Sequence, residues 1–248
     1  MPLVGTRELA AFDSGPLLAE PEGERWELPG CSILQVMYEI DASAVTSLLP
    51  PALHPTVPPT VVLTITNVPE SPAGAFAMAE ARVACRSGAR PRGLLIGGFC
   101  STEQAAKMLA ARWGYPMKVG DVQLAKRYDR VVGKVEAGGS TVLETTLLNP
   151  EPIAGNDIQY LASLNVAKIR RDGATLPRLV QVDPDYVFRS ADRGKPELSA
   201  FDAPAFGLAG AIPVWPVSAS HCVADITMPE LRYLVDPARP PLTSVEQF

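Results

Sequence analysis

Proline placement sets the first limit on what this chain can fold into. Its 25 prolines gather at 50–59 ("PPALHPTVPP"), 69–72, 150–152, 213–216 and 237–241. Each one fixes φ and removes a backbone donor, so each cluster breaks regular structure and sets a turn or an extended loop. A chain interrupted this often cannot be a helical bundle.

Between the clusters the segments read mostly as strands. "SILQVMYEI" (32–40) and the alternating, β-branched "TVVLTITNV" (60–68) are both predicted strands. "DASAVTSLLP" (41–50) predicts a short amphipathic helix capped by Asp41 or Ser43 and stopped by Pro50. "AFAMAEARVACR" (75–86) passes for a helix on alanine content, but its alternation and its place between loops favour a strand. "GLLIGGFC" (93–100) is a buried strand in which Gly97 and Gly98 permit close backbone approach. "STEQAAKMLAARW" (101–113) is the clearest helix, with Ser101 and Gln104 as a capping box and Gly114 closing its end. "DVQLAKRYDRVVGKVEA" (121–137) and "STVLETTLL" (140–148) flank Gly138-Gly139, a hairpin signature. "SLNVAKIRRDGATLPRLVQVDP" (163–184) repeats the scheme around Asp172-Gly173, and the remainder through "ITMPELRYLV" is extended. The expected class is α+β: a largely antiparallel sheet, curled or closed into a barrel, with a few inserted helices. No linker, internal repeat or low-complexity tract interrupts it, so residues 1–248 are expected to form one domain.

The net charge of −5 argues against a nucleic-acid partner, which would need a basic excess. Cys31, Cys85, Cys100 and Cys222 lie far apart without a CxxC pair, and His54 and His221 are the only histidines. That set predicts buried free thiols in a reducing compartment, with no metal and no other cofactor. The N-terminal "MPLVGTRELAAFDSG" lacks a basic segment followed by an apolar one, and the apolar runs fall short of the ~20 residues that span a bilayer. The expectation is a soluble, cytoplasmic protein whose partner is a small molecule, not a membrane.

Chemistry concentrates at "WGYPMKVG" (113–120), where Trp113, Tyr115, Pro116 and Met117 wall Lys118 with apolar surface. Lys118 reads either as a plain surface charge or as a desolvated amine, whose lowered pKa would make it nucleophilic toward ketones. Glu80, inside the small and apolar "AMAEARVA", is the candidate for an inward-facing carboxylate; a solvent-facing place on a half-buried strand is the other reading. A buried acid beside a buried base is the raw material of proton-transfer catalysis.

Four passages resemble the acetoacetate decarboxylase-like proteins: "MYEIDASAVTSLLPPAL", the Glu80 strand after "VVLTITNVPES", the helix leading into "WGYPMK", and "LNVAKIRRDG". They span roughly residues 30–190 in that family's order. The resemblance implies a cavity in which the first lysine after the proline forms a Schiff base and the second depresses its pKa. Here the first position is Met117, and only the second, Lys118, is a lysine. A thioether cannot form an imine. The helix segment that would read Gly-Arg-Glu is "LAA" (109–111), a second family glutamate falls at about Thr64, and the family's substrate-binding arginine falls near Gly30 or Cys31. Glu80 and Tyr115 are retained, and a homo-oligomer is implied.

Three functions remain open on these residues. One is an enzyme that cyclises, isomerises or dehydrates an enolisable, largely apolar and polyketide-like substrate without a covalent intermediate. Glu80 would be its general acid/base and Lys118, Thr64 or Tyr115 would polarise a carbonyl, with Met117, Phe99 and Trp113 as further walls. Another is Schiff-base chemistry displaced onto Lys118, giving a decarboxylase or an aldolase-dehydratase, although adjacent strand residues face opposite sides. The third is a non-catalytic binder or pseudoenzyme. "SASHC" (218–222) carries Ser218, Ser220 and His221, but without a GxSxG elbow His221 reads as a structural or loop histidine. Gly97-Gly98 lacks the lysine and hydroxyl of a phosphate loop, and His54, amid prolines, reads as a loop residue.

Overall fold

β-Branched and aromatic runs, cut by proline loops, fold as a single sheet in the computed structural model, which describes residues 3–248 apart from Asp172. The first long strand, β1 (Trp26–Ile40), leads into α1 (Ala42–Leu48), whose N-cap Asp41 accepts from the Ser43 amide at 2.7 Å. The short β2 (His54–Pro55) precedes β3 (Thr60–Val68), β4 (Phe76–Ser87) and β5 (Arg90–Cys100). Helix α2 (Glu103–Trp113) then ends at Gly114, whose φ of 69° suits a residue without a Cβ. Next come β6 (Met117–Val119), β7 (Asp121–Lys126), β8 (Arg130–Ala137) and β9 (Ser140–Pro152). The chain closes with β10 (Ser163–Arg171), β11 (Ala174–Val182), β12 (Asp185–Phe201), β13 (Pro213–Met228), β14 (Tyr233–Val235) and β15 (Val245–Gln247).

The strand order is β15-β14-β11-β10-β5-β4-β3-β1-β13-β12-β9-β8-β7, with β2 beside β4 and β6 beside β5. Neighbours are antiparallel except at β5, which pairs in parallel with both β10 and β6. The sheet remains open but curls, so that β7 packs over β3, β4 and β5. The curl gives it two cores. Leu34, Ile65, Phe99, Val131 and Leu147 fill the inner face, while Ile33, Met78, Leu109, Trp113 and Ile226 fill the outer face under α2.

Burial on both faces explains β4. Phe76 through Cys85 are all buried, so neither face of the strand alternates to solvent, and its small residues show that two layers press on it. Three local expectations need correction. The cap of α2 is Thr102, which accepts from the Ala105 amide, because Ser101 instead accepts from the Ala77 amide across the sheet. The segment 121–137 is two strands, β7 and β8, joined by a turn in which the Arg127 amide donates to the Arg130 carbonyl. The first strand begins at Trp26 rather than at Ser32. Of the Asp172-Gly173 turn, Asp172 lies outside the described residues, while Gly173 has a φ of 78° between β10 and β11.

The curl closes tightly where β8 crosses β3. A Cβ on Gly133 would sit 2.2 Å from Ile65 Cδ1 and 3.1 Å from Leu34 Cδ2. Gly133→Val therefore overpacks the inner core, at a cost of about 1–3 kcal/mol. In a thermal melt the midpoint is expected to fall by roughly 3–10 °C; an unchanged midpoint would mean that the two layers do not interlock there.

Candidate active site

Cross-strand register builds the site. Thr64 pairs with Glu80, Glu80 with Gly98, and Gly98 with Met117, one rung across β3, β4, β5 and β6. Residues opposite one another project from the same face, so Thr64, Glu80 and Met117 all point to the outer core. Gly98 leaves a gap in that row, and the Met117 thioether fills it: a Cβ at residue 98 would lie 2.6 Å from the Met117 sulfur. Two residues beyond Glu80 on the same strand, Arg82 joins the face.

Thr64, Glu80 and Arg82 line a cavity of about 20 Å³, room for a water or two. Its apolar walls are Leu28, Ile33, Met78, Ile226 and Met228. Its polar lining is Thr64, Thr66, Glu80 and Arg82 with the phenols of Tyr115, Tyr160 and Tyr186. Tyr160 and Tyr186 stack with centroids 4.6 Å apart and form the half-buried outer wall. Gln35, on the Thr64 rung, steadies the loop below them by donating to the Gln159 carbonyl at 3.2 Å.

The electrostatics are those of a dry site. Glu80 is 2% exposed, and Arg82 Nη2 donates to its Oε1 at 2.6 Å. Burial pushes the Glu80 carboxyl above the usual carboxylate range, against the pull of the Arg82 guanidinium. Burial, and then the nearby Glu80 charge, push the Tyr115 phenol up as well; burial does the same at Tyr186. These hydroxyls therefore stay protonated as donors at neutral pH. Arg82 Nε and Thr64 Oγ1 are buried with no hydrogen-bond partner among the described residues. Buried polar atoms are normally satisfied, so two orphans on one small cavity leave a place for a polar partner, a water or a ligand oxygen. A proton acceptor, a guanidinium and phenolic donors around one dry space can move a proton at carbon while holding the resulting oxyanion.

Of the residues singled out in the sequence, the structure brings Glu80, Thr64 and Tyr115 together around this cavity, while Met117 stands on their rung over Gly98 without lining it. It separates the others. Lys118 pairs with Phe99 on the adjacent rung and so faces the inner side, where Nζ donates to the Ala205 carbonyl at 2.8 Å and lies 5.9 Å from the Phe99 ring centroid. Strand alternation thus puts the amine outside the Glu80 cavity, a point the sequence alone leaves open. Phe99 packs edge-on against Phe206 in the inner core. Trp113 is a core residue: its indole donates to the Pro229 carbonyl at 2.9 Å and its ring meets Trp26 edge-on.

Sequence reasoning missed Arg82, Tyr160 and Tyr186. Arg82 was within reach, because a charge two residues from Glu80 on a strand shares its face. Nothing local marks the tyrosines, which arrive from a loop and from β12. All four cysteines are buried and unpaired, and burial pushes the thiols of Cys31 and Cys85 up to about 12. Among the described residues no three His, Cys, Asp or Glu side chains converge on a point that could hold a metal.

Known proteins place this geometry in context. The acetoacetate decarboxylase (ADC) family matches residues 14–238. The crystal structure of acetoacetate decarboxylase from Legionella pneumophila superposes with a TM-score of 0.75 at 19% identity, over 84% of this chain and 86% of that one. An acetoacetate decarboxylase-like enzyme from Sphingomonas wittichii RW1 gives 0.68 at 16% identity, over 84% and 91%. The enduracididine biosynthesis enzyme MppR, complexed with the condensation product of pyruvate and imidazole 4-carboxaldehyde, gives 0.68 at 16%, over 83% and 87%. At such identities the structural likeness is one of fold. No curated protein matches the sequence. With nearly its whole length inside the family match, from residue 14 to residue 238, the chain belongs to the acetoacetate decarboxylase family.

Proposed function

We propose that this protein is an enzyme that uses the fold for acid–base chemistry without a Schiff base: it cyclises, isomerises or dehydrates an enolisable, largely apolar carbonyl compound. The observation that carries this reading is the rung itself. Met117 stands over Gly98 on the Glu80 rung, where the family resemblance implies an imine-forming lysine, and the neighbouring amine of Lys118 lies on the other face. An imine has no nitrogen to form on, whereas Glu80, Arg82 and the phenols remain assembled.

The substrate carbonyl oxygen would accept hydrogen bonds from Arg82 Nε and from Tyr115 or Tyr186. Glu80 would remove a proton from the adjacent carbon, and the electron pair left behind would delocalise onto that oxygen as an enolate, held by the guanidinium. The enolate carbon can then attack a second carbonyl to close a ring, expel a β-hydroxyl as water, or regain the proton at another carbon. Apolar walls would hold a flexible chain folded, which favours ring closure. MppR, bound to pyruvate in one structure and to a pyruvate condensation product in another, supports the reading, since a relative of this fold accommodates oxo compounds. A polyketide-like metabolite handled in the cytoplasm, by a homo-oligomer, is the setting we infer for it.

α-Proton exchange in D₂O, followed by NMR over a panel of 3-oxo esters and linear 1,3-diketones, tests the chemistry. The protein is expected to accelerate exchange, and Glu80→Gln to slow it by about 10²–10⁴-fold. As Glu80 acts in its ionised form and burial raises its pKa, the rate should climb with pH across a titration above the ordinary carboxylate range, and that rise should vanish in Glu80→Gln. Binding of panel members with no exchange would instead indicate a non-catalytic binder.

A second experiment addresses the missing imine. Borohydride reduction in the presence of acetoacetate should leave the wild-type mass unchanged and give a reduced adduct in Met117→Lys, whose amine would lie over Gly98. A wild-type adduct mapping to Lys118 would restore the Schiff-base alternative.

A further inference from the structure

The inner face carries a polar cluster that the Glu80 chemistry does not use. At the end of the curl, Ser32 Oγ lies 2.9 Å from His221 Nε2, and His221 Nδ1 lies 3.3 Å from Asp192 Oδ2. Three adjacent strands supply these groups. Leu34 pairs with His221, His221 pairs with Asp192, and Ser32 stands two residues before Leu34, so all three project inward. His221 is 1% exposed, while Ser32 is half-buried.

The proton arrangement follows from the partners. Asp192 is an acceptor only when ionised; burial acts to raise its pKa, but hydrogen bonds from Lys126 Nζ at 2.7 Å and from His221 hold it below the usual range. An ionised Asp192 fixes the His221 hydrogen on Nδ1, which leaves Nε2 as acceptor for the Ser32 hydroxyl. Burial also lowers the His221 pKa, against the pull of Asp192, so the ring is neutral and able to take a proton at pH 7. Asn67, the register partner of Ser32 on β3, is exposed and presents its amide on the same face.

We propose that Ser32, His221 and Asp192 form a second site, a serine acyl-acceptor for small carboxylic esters that approach the open end of the curled sheet. Ser32 Oγ attacks the ester carbonyl and its proton passes to His221 Nε2; the Asn67 amide donates to the oxyanion; the carbon–oxygen bond to the alcohol breaks and His221 returns the proton to the leaving oxygen. Water then attacks the acyl-serine by the same route, giving the carboxylic acid and free Ser32. Overall, ester and water become acid and alcohol. The alternative is that the cluster merely ties β1, β13 and β12 together, which would leave Ser32 no more reactive than any other serine.

The test is labelling of the full chain with a fluorophosphonate, read by intact mass and peptide mapping. A single adduct on Ser32 is expected. It should be absent in Ser32→Ala, slowed by about 10²-fold or more in His221→Gln, and retained in Glu80→Gln, whose carboxyl belongs to the other face. Should the alanine variant fail to fold, Ser32→Cys serves in its place: beside His221 the new thiol should be alkylated by iodoacetamide at pH 6, against a quiet background, since burial pushes the thiols of Cys31 and Cys85 up to about 12 and that of Cys222 up to about 11. No adduct on wild-type Ser32, or labelling indifferent to His221→Gln, would overturn the proposal.

Discussion

The ion pair between Glu80 and Arg82 is the interaction on which the outer face depends. Removing two charges from water costs several kcal/mol for each ion, and an apolar pair of similar volume would often be as stable or more so. Here the two sit at 2% and 8% exposure on a strand whose other residues are mostly alanine, valine and methionine. Neither can be removed alone without leaving a buried charge unpaired. The pair is therefore a poor device for stability and a good one for holding a carboxylate and a guanidinium in fixed geometry in a dry space, the pattern that marks functional sites. The orphaned Arg82 Nε sharpens that argument: a purely structural arginine at this depth would be expected to satisfy all of its donors.

Strand alternation sets the second constraint. A one-residue step reverses the face, so Met117 and Lys118 cannot exchange roles by a small shift of the backbone. Gly98 makes the difference between the two faces sharper still. Because it contributes no side chain to the Glu80 rung, the side chain at position 117 lies over it, and in this chain that group is a thioether. On the proposed reading, the identity of that one side chain would decide whether an imine can form on this rung.

How much of this was legible in the sequence follows the range of the interactions. Local features could be read directly: the β3 strand, the Gly138-Gly139 hairpin, the Asp41 cap and the helix before Gly114 all depend on residues a few positions apart. The pairing of Glu80 with Thr64 and Met117 could not, as it rests on the register of four strands. Arg82 shows an intermediate case, visible from alternation alone once β4 is taken as a strand with both faces covered. Tyr186 and the Ser32–His221 contact, which spans 189 positions, are products of topology: β13 lies beside β1 only because the chain returns there after β12. His221 looked structural because its sequence neighbours cannot face it, and its partners come from other strands.

The size of the Glu80 cavity adds a dynamic requirement. About 20 Å³ holds water but no organic substrate, so the proposed chemistry would require the cavity to open. The floor cannot yield, since β3, β4 and β5 are paired on both sides and packed on both faces. The outer wall can. Tyr160 lies on a loop between β9 and β10, its ring stacked on Tyr186 and Phe188 of β12 and its hydroxyl 3.2 Å from Cys222 Sγ. Swinging that ring outward breaks its two stacking contacts and one weak hydrogen bond, whereas moving any floor residue would break a ladder. Admission of substrate through the Tyr160 wall, followed by its return, would restore the dry surroundings in which the Arg82 charge acts most strongly on a forming enolate. On the proposed reading, a rigid polar floor and a movable aromatic wall would be two halves of one requirement: the charges would stay in place while water was let in with the substrate and shut out before the proton moved.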